Sequence, residues 1–421
     1  FSSYNSAKEK DIFMSSIIFL PIITIIPICY LVVQFHDIIA DFLSLKNPVI
    51  ESYVWVIFLV AFATSYFEVF YSWARVQLKS VFGNFLKEIY PRASIFILLL
   101  LVFFDIISKE NFVWYLTGFY YLRLFIMIVY SLKLYTPKLY FKLPANTKQI
   151  ISYSIYIFLA GSAASILIDI DKFMIPQKEA ISQTAFYAVA VFIATVVEIP
   201  GRALFQIVNP LVAKALNTDN FTDLKKLYKE SSLNLLIISG LFFLLINLNI
   251  VPFYELMDNS SYGTAVWVVL MISLSKLILM SFGCGPAILA TSKFYKITLP
   301  FSIGMAFSVY FLNDYLIDLM GINGAALSTL IVVAIFTFLK IIYIKSKLNL
   351  SPYSFNSLKT LLIIGSLFLI FENISFPFKG VGLIIINSLI TVLVYTLVVY
   401  YSNLSGTLNK FIMKVLNKLR F

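Results

Sequence analysis

Histidine and cysteine are almost missing from this chain, and their scarcity removes most catalytic chemistry. His36 is the only histidine, so no pair of imidazoles can hold a zinc ion. Cys29 and Cys284 both fall in apolar runs and are too few for a disulfide framework or a metal knuckle. Both are expected to be small buried hydrophobes. The sequence has no G-x-x-x-x-G-K-[ST] loop, no H-E-x-x-H helix and no nucleophile elbow. We therefore expect no catalytic residue, no metal, no cofactor and no enzyme activity. Charge is scarce too, at 13% of residues against 60% hydrophobic. A soluble domain carries about a quarter charged residues, so this composition belongs to a polytopic membrane protein.

What the chain has is long apolar runs. Windows of about 20 residues place spans at 13–35, 53–73, 93–108, 112–132, 150–170, 184–208, 233–252, 264–285, 297–316, 322–344, 358–376 and 381–401. None alternates with a period of two, so each is a helix that satisfies its own backbone. The expected fold is an all-α polytopic protein with about 12 transmembrane helices.

The net charge of +11 is distributed by gap. Gaps of one parity collect Lys8 and Lys10, Arg75 to Arg92, Lys133 to Lys148, Lys214 to Lys229, Lys293 and Lys296, Lys340 to Lys359, and Lys410 to Arg420. The intervening gaps hold only Lys46, Lys109, Lys172, Lys178 and Lys379. The positive-inside rule then puts both ends of the chain in the cytoplasm. The excess charge reads as topology and as affinity for anionic membrane lipids, not for nucleic acid. Residues 218–230 read as a short amphipathic helix, and Thr407 to Phe421 as a basic amphipathic helix lying on the membrane. Phe1 to Asp11 is polar and lacks a starting Met, so the chain is expected to begin inside a longer protein.

Five ionisable residues lie inside spans: Glu68, Arg123, Glu198, Arg202 and Lys276. Each would cost about 2.5–3.5 kcal/mol facing lipid at a helix centre, so each is expected to face a partner or a wet cavity. Glu198 and Arg202 are four apart on one helical face. They either neutralise each other, or Arg202 presents its planar fork to phosphate oxygens while Glu198 holds it when empty or exchanges a cation. Arg123 and Lys276 are further candidates for binding an anionic cargo. Glu68 either pairs with an arginine or titrates. Asp169, Asp171 and Lys172 sit at a span end, as interfacial anchors or as a gate.

Several patterns then follow in order. Asp171-Lys172-Phe173-Met174-Ile175 is a D-[KR]-[FY]-x-[IL] motif, and Tyr187-Ala188-Val189-Ala190 is Y-x-x-A. Val208-Asn209-Pro210-Leu211 ends a helix, a basic helix covers Asp223 to Glu230, and Gly321-Ile322-Asn323-Gly324-Ala325-Ala326 opens another. In this order and spacing they resemble the polysaccharide (O-antigen type) flippases of the multidrug/oligosaccharidyl-lipid/polysaccharide exporter superfamily. The resemblance implies two six-helix lobes around a central cavity plus two added helices, 14 in the full chain, so that two N-terminal helices are missing here. On that plan, residues 1–135 are the rest of the N-terminal lobe, 136–149 a cytoplasmic linker, 150–347 the C-terminal lobe, 348–401 the two added spans and 402–421 the tail. It also implies the cargo, a polyprenyl-pyrophosphate-linked oligosaccharide moved without ATP across the bacterial inner membrane. A Na+ or H+ gradient and the polysaccharide polymerase machinery are the implied partners. A cation-coupled multidrug exporter of the same superfamily would favour acidic cavity residues. A membrane glycan polymerase or ligase would need long outer loops or paired histidines and carboxylates.

Overall fold

The computed structural model describes residues 6–77, 79–257, 260–374, 377–410 and 413. It is all helical, with no strand among the described residues, and its contacts divide it into two compact units, Phe1–Ile155 and Tyr156–Phe421. Among the described residues, ten helices are long and apolar enough to cross a membrane. The other two windows, 93–108 and 150–170, are also helical, the first as a 14-residue segment.

The first unit contains α1 (Ala7–Gln34), α2 (His36–Ser44), α3 (Val54–Val76), α4 (Ser80–Glu88), α5 (Tyr90–Phe103) and α6 (Lys109–Leu134). Serine side chains start two of them: Ser6 accepts from the amide of Glu9 at 3.1 Å and Ser108 from that of Asn111 at 3.3 Å. The core joins α1, α3, α4 and α6 through Met14, Phe67, Trp73, Leu86 and Met127. Ser131 of α6 donates to the Phe70 carbonyl at 2.8 Å, fixing α6 against α3. His36 stacks on Trp55 at 5.2 Å. Cys29 is exposed on α1 rather than buried as expected, because α1 turns most of its apolar surface outward. Cys284 is buried.

Helix α7 (Thr147–Lys178) leads into the second unit, followed by α8 (Ile181–Ala194), α9 (Ile199–Asn217) and α10 (Phe221–Glu255). Then come α11 (Val266–Ser281), α12 (Gly285–Thr291), α13 (Thr298–Met320), α14 (Ile322–Leu348), α15 (Phe355–Glu372) and α16 (Gly380–Tyr401). The short helix expected over 218–230 is not separate. It is the start of α10, which at 1.5 Å per residue runs about 52 Å. Nothing interrupts it: proline is absent until Pro252, and Ser231 and Ser232 are buried where a break was expected. Those serines hold the turn between α11 and α12, Ser231 accepting from the Cys284 amide and Ser232 donating to the Ser281 carbonyl. Beyond Lys410, apart from Met413, the expected tail helix lies outside the described residues.

Helices α15 and α16 pack on α10, where Tyr395 donates to the Ile237 carbonyl at 2.7 Å and Asn387 to that of Leu248 at 3.0 Å. Outward faces such as that of α13 carry Phe307 and Phe311, as expected of helices solvated by lipid.

Helices α13 and α14 form a hairpin closed by Gly321, whose φ of +58° lies in the left-handed region. Three residues on, a Cβ on Gly324 would lie 1.9 Å from the Leu316 carbonyl oxygen. That neighbour is backbone and cannot swing aside. Gly324→Ala is expected to force α13 from α14 at a cost of about 1–3 kcal/mol. A lowered melting midpoint of the purified protein in detergent checks this, and an unchanged midpoint would mean the hairpin has slack.

Candidate functional site

The span expected as one helix over 184–208 is broken. α8 stops at Ala194, a tight 3-10 turn covers Thr195–Glu198, and α9 starts with Pro200 in its first turn. Proline is tolerated there because the first-turn amides have no helical partner. The break places Glu198 at the N-terminal, electropositive end of α9. Lys276 of α11 reaches its Oε2 at 2.9 Å and Arg202 Nη2 its Oε1 at 3.3 Å. Glu198 and Lys276 are largely sheltered, whereas the Arg202 side chain is 68% exposed. Two cations thus share one carboxylate, and the better-placed one is Lys276, not Arg202. Arg202 makes no other ion pair among the described residues, so most of its fork can take an anion.

Glu68 and Arg123 belong to the first unit. Glu68 pairs with Lys87 of α4 at 2.7 Å, so its partner is a lysine rather than an arginine. It also lines a groove of about 420 Å³ with Phe13, Ile17 and Trp73. Arg123 of α6 is buried, its guanidinium held between the rings of Phe67 at 4.2 Å and Tyr120 at 4.7 Å. Its Nε and Nη2 have no hydrogen-bond partner. The crevice beside it, between Tyr90, Ser94 and Phe119, is too narrow to admit water.

Asp169 and Lys172 pair with each other at 2.8 Å and are exposed, as interfacial residues would be. Asp171 points the other way and is buried, which corrects its placement at the interface. It accepts from Tyr187 of α8, from Asn313 of α13 at 2.6 Å and from Thr329 of α14 at 2.9 Å. Beneath it, Ile175, Tyr187, Ala190, Ile322, Ala325 and Ala326 share one buried cluster. Three motifs separated in sequence therefore meet around one carboxylate. Next to them Lys178 bridges Asp314 at 2.7 Å and Asp318 at 2.8 Å, tying the end of α7 to α13.

Sequence reasoning passed over Asn313 and Lys340. Asn313 interrupts an apolar run as a lone amide, which was the available signal. Lys340 was counted with the loop charges, yet its Nζ rests 3.4 Å from the Met305 sulfur and faces the Phe301 ring. Among the described residues there is no group of three histidine, cysteine or carboxylate side chains able to hold a metal. The oxygens around Asp171, including an unpartnered Asn313 Oδ1, are of the hard type that suits a light cation.

No protein-family model and no curated protein sequence matches the chain. Among solved structures it is similar to a lipid II flippase, MurJ, in an inward closed conformation. The two are 13% identical over 96% of this chain and 87% of that one. At that identity the likeness speaks for architecture alone, and with a TM-score of 0.70 over nearly the whole length, the chain has the fold of this polytopic flippase.

Proposed function

We propose that the protein is a flippase for a lipid-linked oligosaccharide. It carries a polyprenyl-pyrophosphate-linked glycan from the cytoplasmic to the outer leaflet of the bacterial inner membrane, for surface polysaccharide assembly. The observation that carries this reading is the shared fold with a solved lipid II flippase across 96% of the chain. The cations held within spans support it, since an anionic head group needs them while its polyprenyl tail stays in the bilayer. On this reading Arg202, Lys276 and Arg123 bind the phosphates, and Glu198 holds Arg202 and Lys276 between cargoes. Alternating access moves the head across by rocking one helical bundle against another. A Na+ or H+ gradient biases the cycle, and Glu68, Glu198 and Asp171 are the carboxylates that could take the ion. Both termini lie in the cytoplasm, and a glycan polymerase downstream would use the product.

The full-length protein in proteoliposomes, with a fluorescent polyprenyl-pyrophosphate glycan and a one-sided quencher, tests the proposal. The glycan lipid should exchange leaflets faster than in empty vesicles. Arg202→Ala and Lys276→Ala should each slow exchange about tenfold or more, since a charge-assisted hydrogen bond contributes roughly 1.5–3 kcal/mol. No exchange, together with export of a cationic dye, would point instead to the multidrug exporter. Native rates in both variants would remove these residues from the site.

A further inference from the structure

We infer that the first unit carries a binding site for an anionic phospholipid, formed where residues 135–146 cross α1 and enter α7. The inference is independent of what the protein transports. Pro137 and Pro144 keep this stretch out of a helix, and it runs as an extended strap. The strap is fixed, not loose: Tyr135 donates to Asp11 at 2.6 Å, Ser15 accepts from the Tyr140 amide at 3.0 Å, and Phe141 stacks on Phe19 at 5.0 Å.

Between strap and helices lies a groove of about 580 Å³, lined almost wholly by apolar groups such as Ile17, Leu20, Leu143, Ile150 and Ile151. Lys142 stands in its wall. A shallower hollow that shares Thr147 and Ile151 with it continues past Lys148. Lys138, Lys142 and Lys148 have no carboxylate partner among the described residues. Leu139, Phe141 and Leu143 on the strap are 59%, 87% and 69% exposed.

Unpaired lysines alternating with exposed apolar side chains suit the boundary between head groups and acyl chains. An apolar trough with one lysine in its wall and another lining the adjoining hollow is complementary to one ligand class, an acyl chain attached to a net-anionic phosphate head group. A basic pocket beside membrane helices binds anionic head groups, with each lysine adding about fivefold to affinity near an anionic surface. Net charge decides the occupant here: a zwitterionic lipid carries its own cation beside the phosphate and cannot neutralise the lysines, and a purely apolar protein helix would leave them unpaired.

The test uses the full-length protein in an uncharged detergent, with dioleoylphosphatidylglycerol and dioleoylphosphatidylcholine as probes in native mass spectrometry. Phosphatidylglycerol should be retained in preference, and Lys142→Ala/Lys148→Ala should weaken its binding about thirtyfold. Lys345→Ala/Lys347→Ala, basic residues at the end of α14, should leave it unchanged. A phosphatidylglycerol with a diazirine in its acyl chain should crosslink within residues 139–151. Equal retention of the two lipids, equal loss in both double variants, or crosslinks confined elsewhere would overturn the inference. Lysines 142 and 148 are exposed, so their loss does not threaten folding.

Discussion

Asp171→Ala will lower the melting midpoint of the detergent-purified protein by about 3–6 °C. The carboxylate accepts from three donors on three other helices: Tyr187, Asn313 and Thr329. Its removal leaves three polar groups without an acceptor, each costing about 1–3 kcal/mol when buried. Water entering the small cavity and side-chain rearrangement recover part of that, so the whole effect should be about 3–5 kcal/mol, typical of a broken buried charge network. Asp171→Asn keeps the shape and one acceptor and should cost roughly half as much. Thermal unfolding followed by tryptophan fluorescence separates the three proteins. An alanine variant that melts with the native protein would mean that the network contributes no net stability.

The role of Asp171 was only partly legible in the sequence. Its position just past a 20-residue apolar window suggests an interface, because a carboxylate at a span end ordinarily reaches water. Nothing local shows that Asp171 turns inward while Asp169 and Lys172, on either side, turn out. The deciding donors come from positions 187, 313 and 329, and only the chain's path brings them to one place. The resemblance named Asp171 and Tyr187 without showing that they touch. Asp171, Tyr187 and the Gly321–Ala326 segment lie where four helices, α7, α8, α13 and α14, meet.

The spans were far more legible than the site. Every apolar window is helical over most of its described length, since backbone in hydrocarbon has no other way to satisfy its hydrogen bonds. Breaks within windows were harder to see: Pro200 marks the one after Glu198, but the tight turn before it has no signature of its own. Ion-pair partners could not be assigned by spacing alone. The i,i+4 relation correctly joined Glu198 to Arg202, yet the closer partner, Lys276, comes from another helix. Glu68 likewise found Lys87, a residue that the hydropathy scan had placed in a loop.

Arg123→Met should leave the protein as stable as before or more so, while lowering, on the proposed flippase function, lipid-linked glycan exchange about tenfold to hundredfold. The opposed signs follow from how the guanidinium is held. Two aromatic faces give it about 0.5–2 kcal/mol each as cation–π contacts. Against that stand two orphaned N–H groups at about 1–3 kcal/mol apiece and a desolvated charge worth several more. Glu68 is the carboxylate whose field reaches Arg123, but its oxygen is bound to Lys87 at 2.7 Å. Buried charges replaced by well-packed apolar side chains of similar volume are often neutral or stabilising by 1–4 kcal/mol, and methionine fits irregular gaps. On the proposed function, a phosphate-bearing cargo would supply the missing acceptors. Melting curves and exchange assays on the same preparations decide between the roles. A methionine variant that melts several degrees lower would make Arg123 a structural residue, and one that flips the glycan at the native rate would remove it from the cargo path.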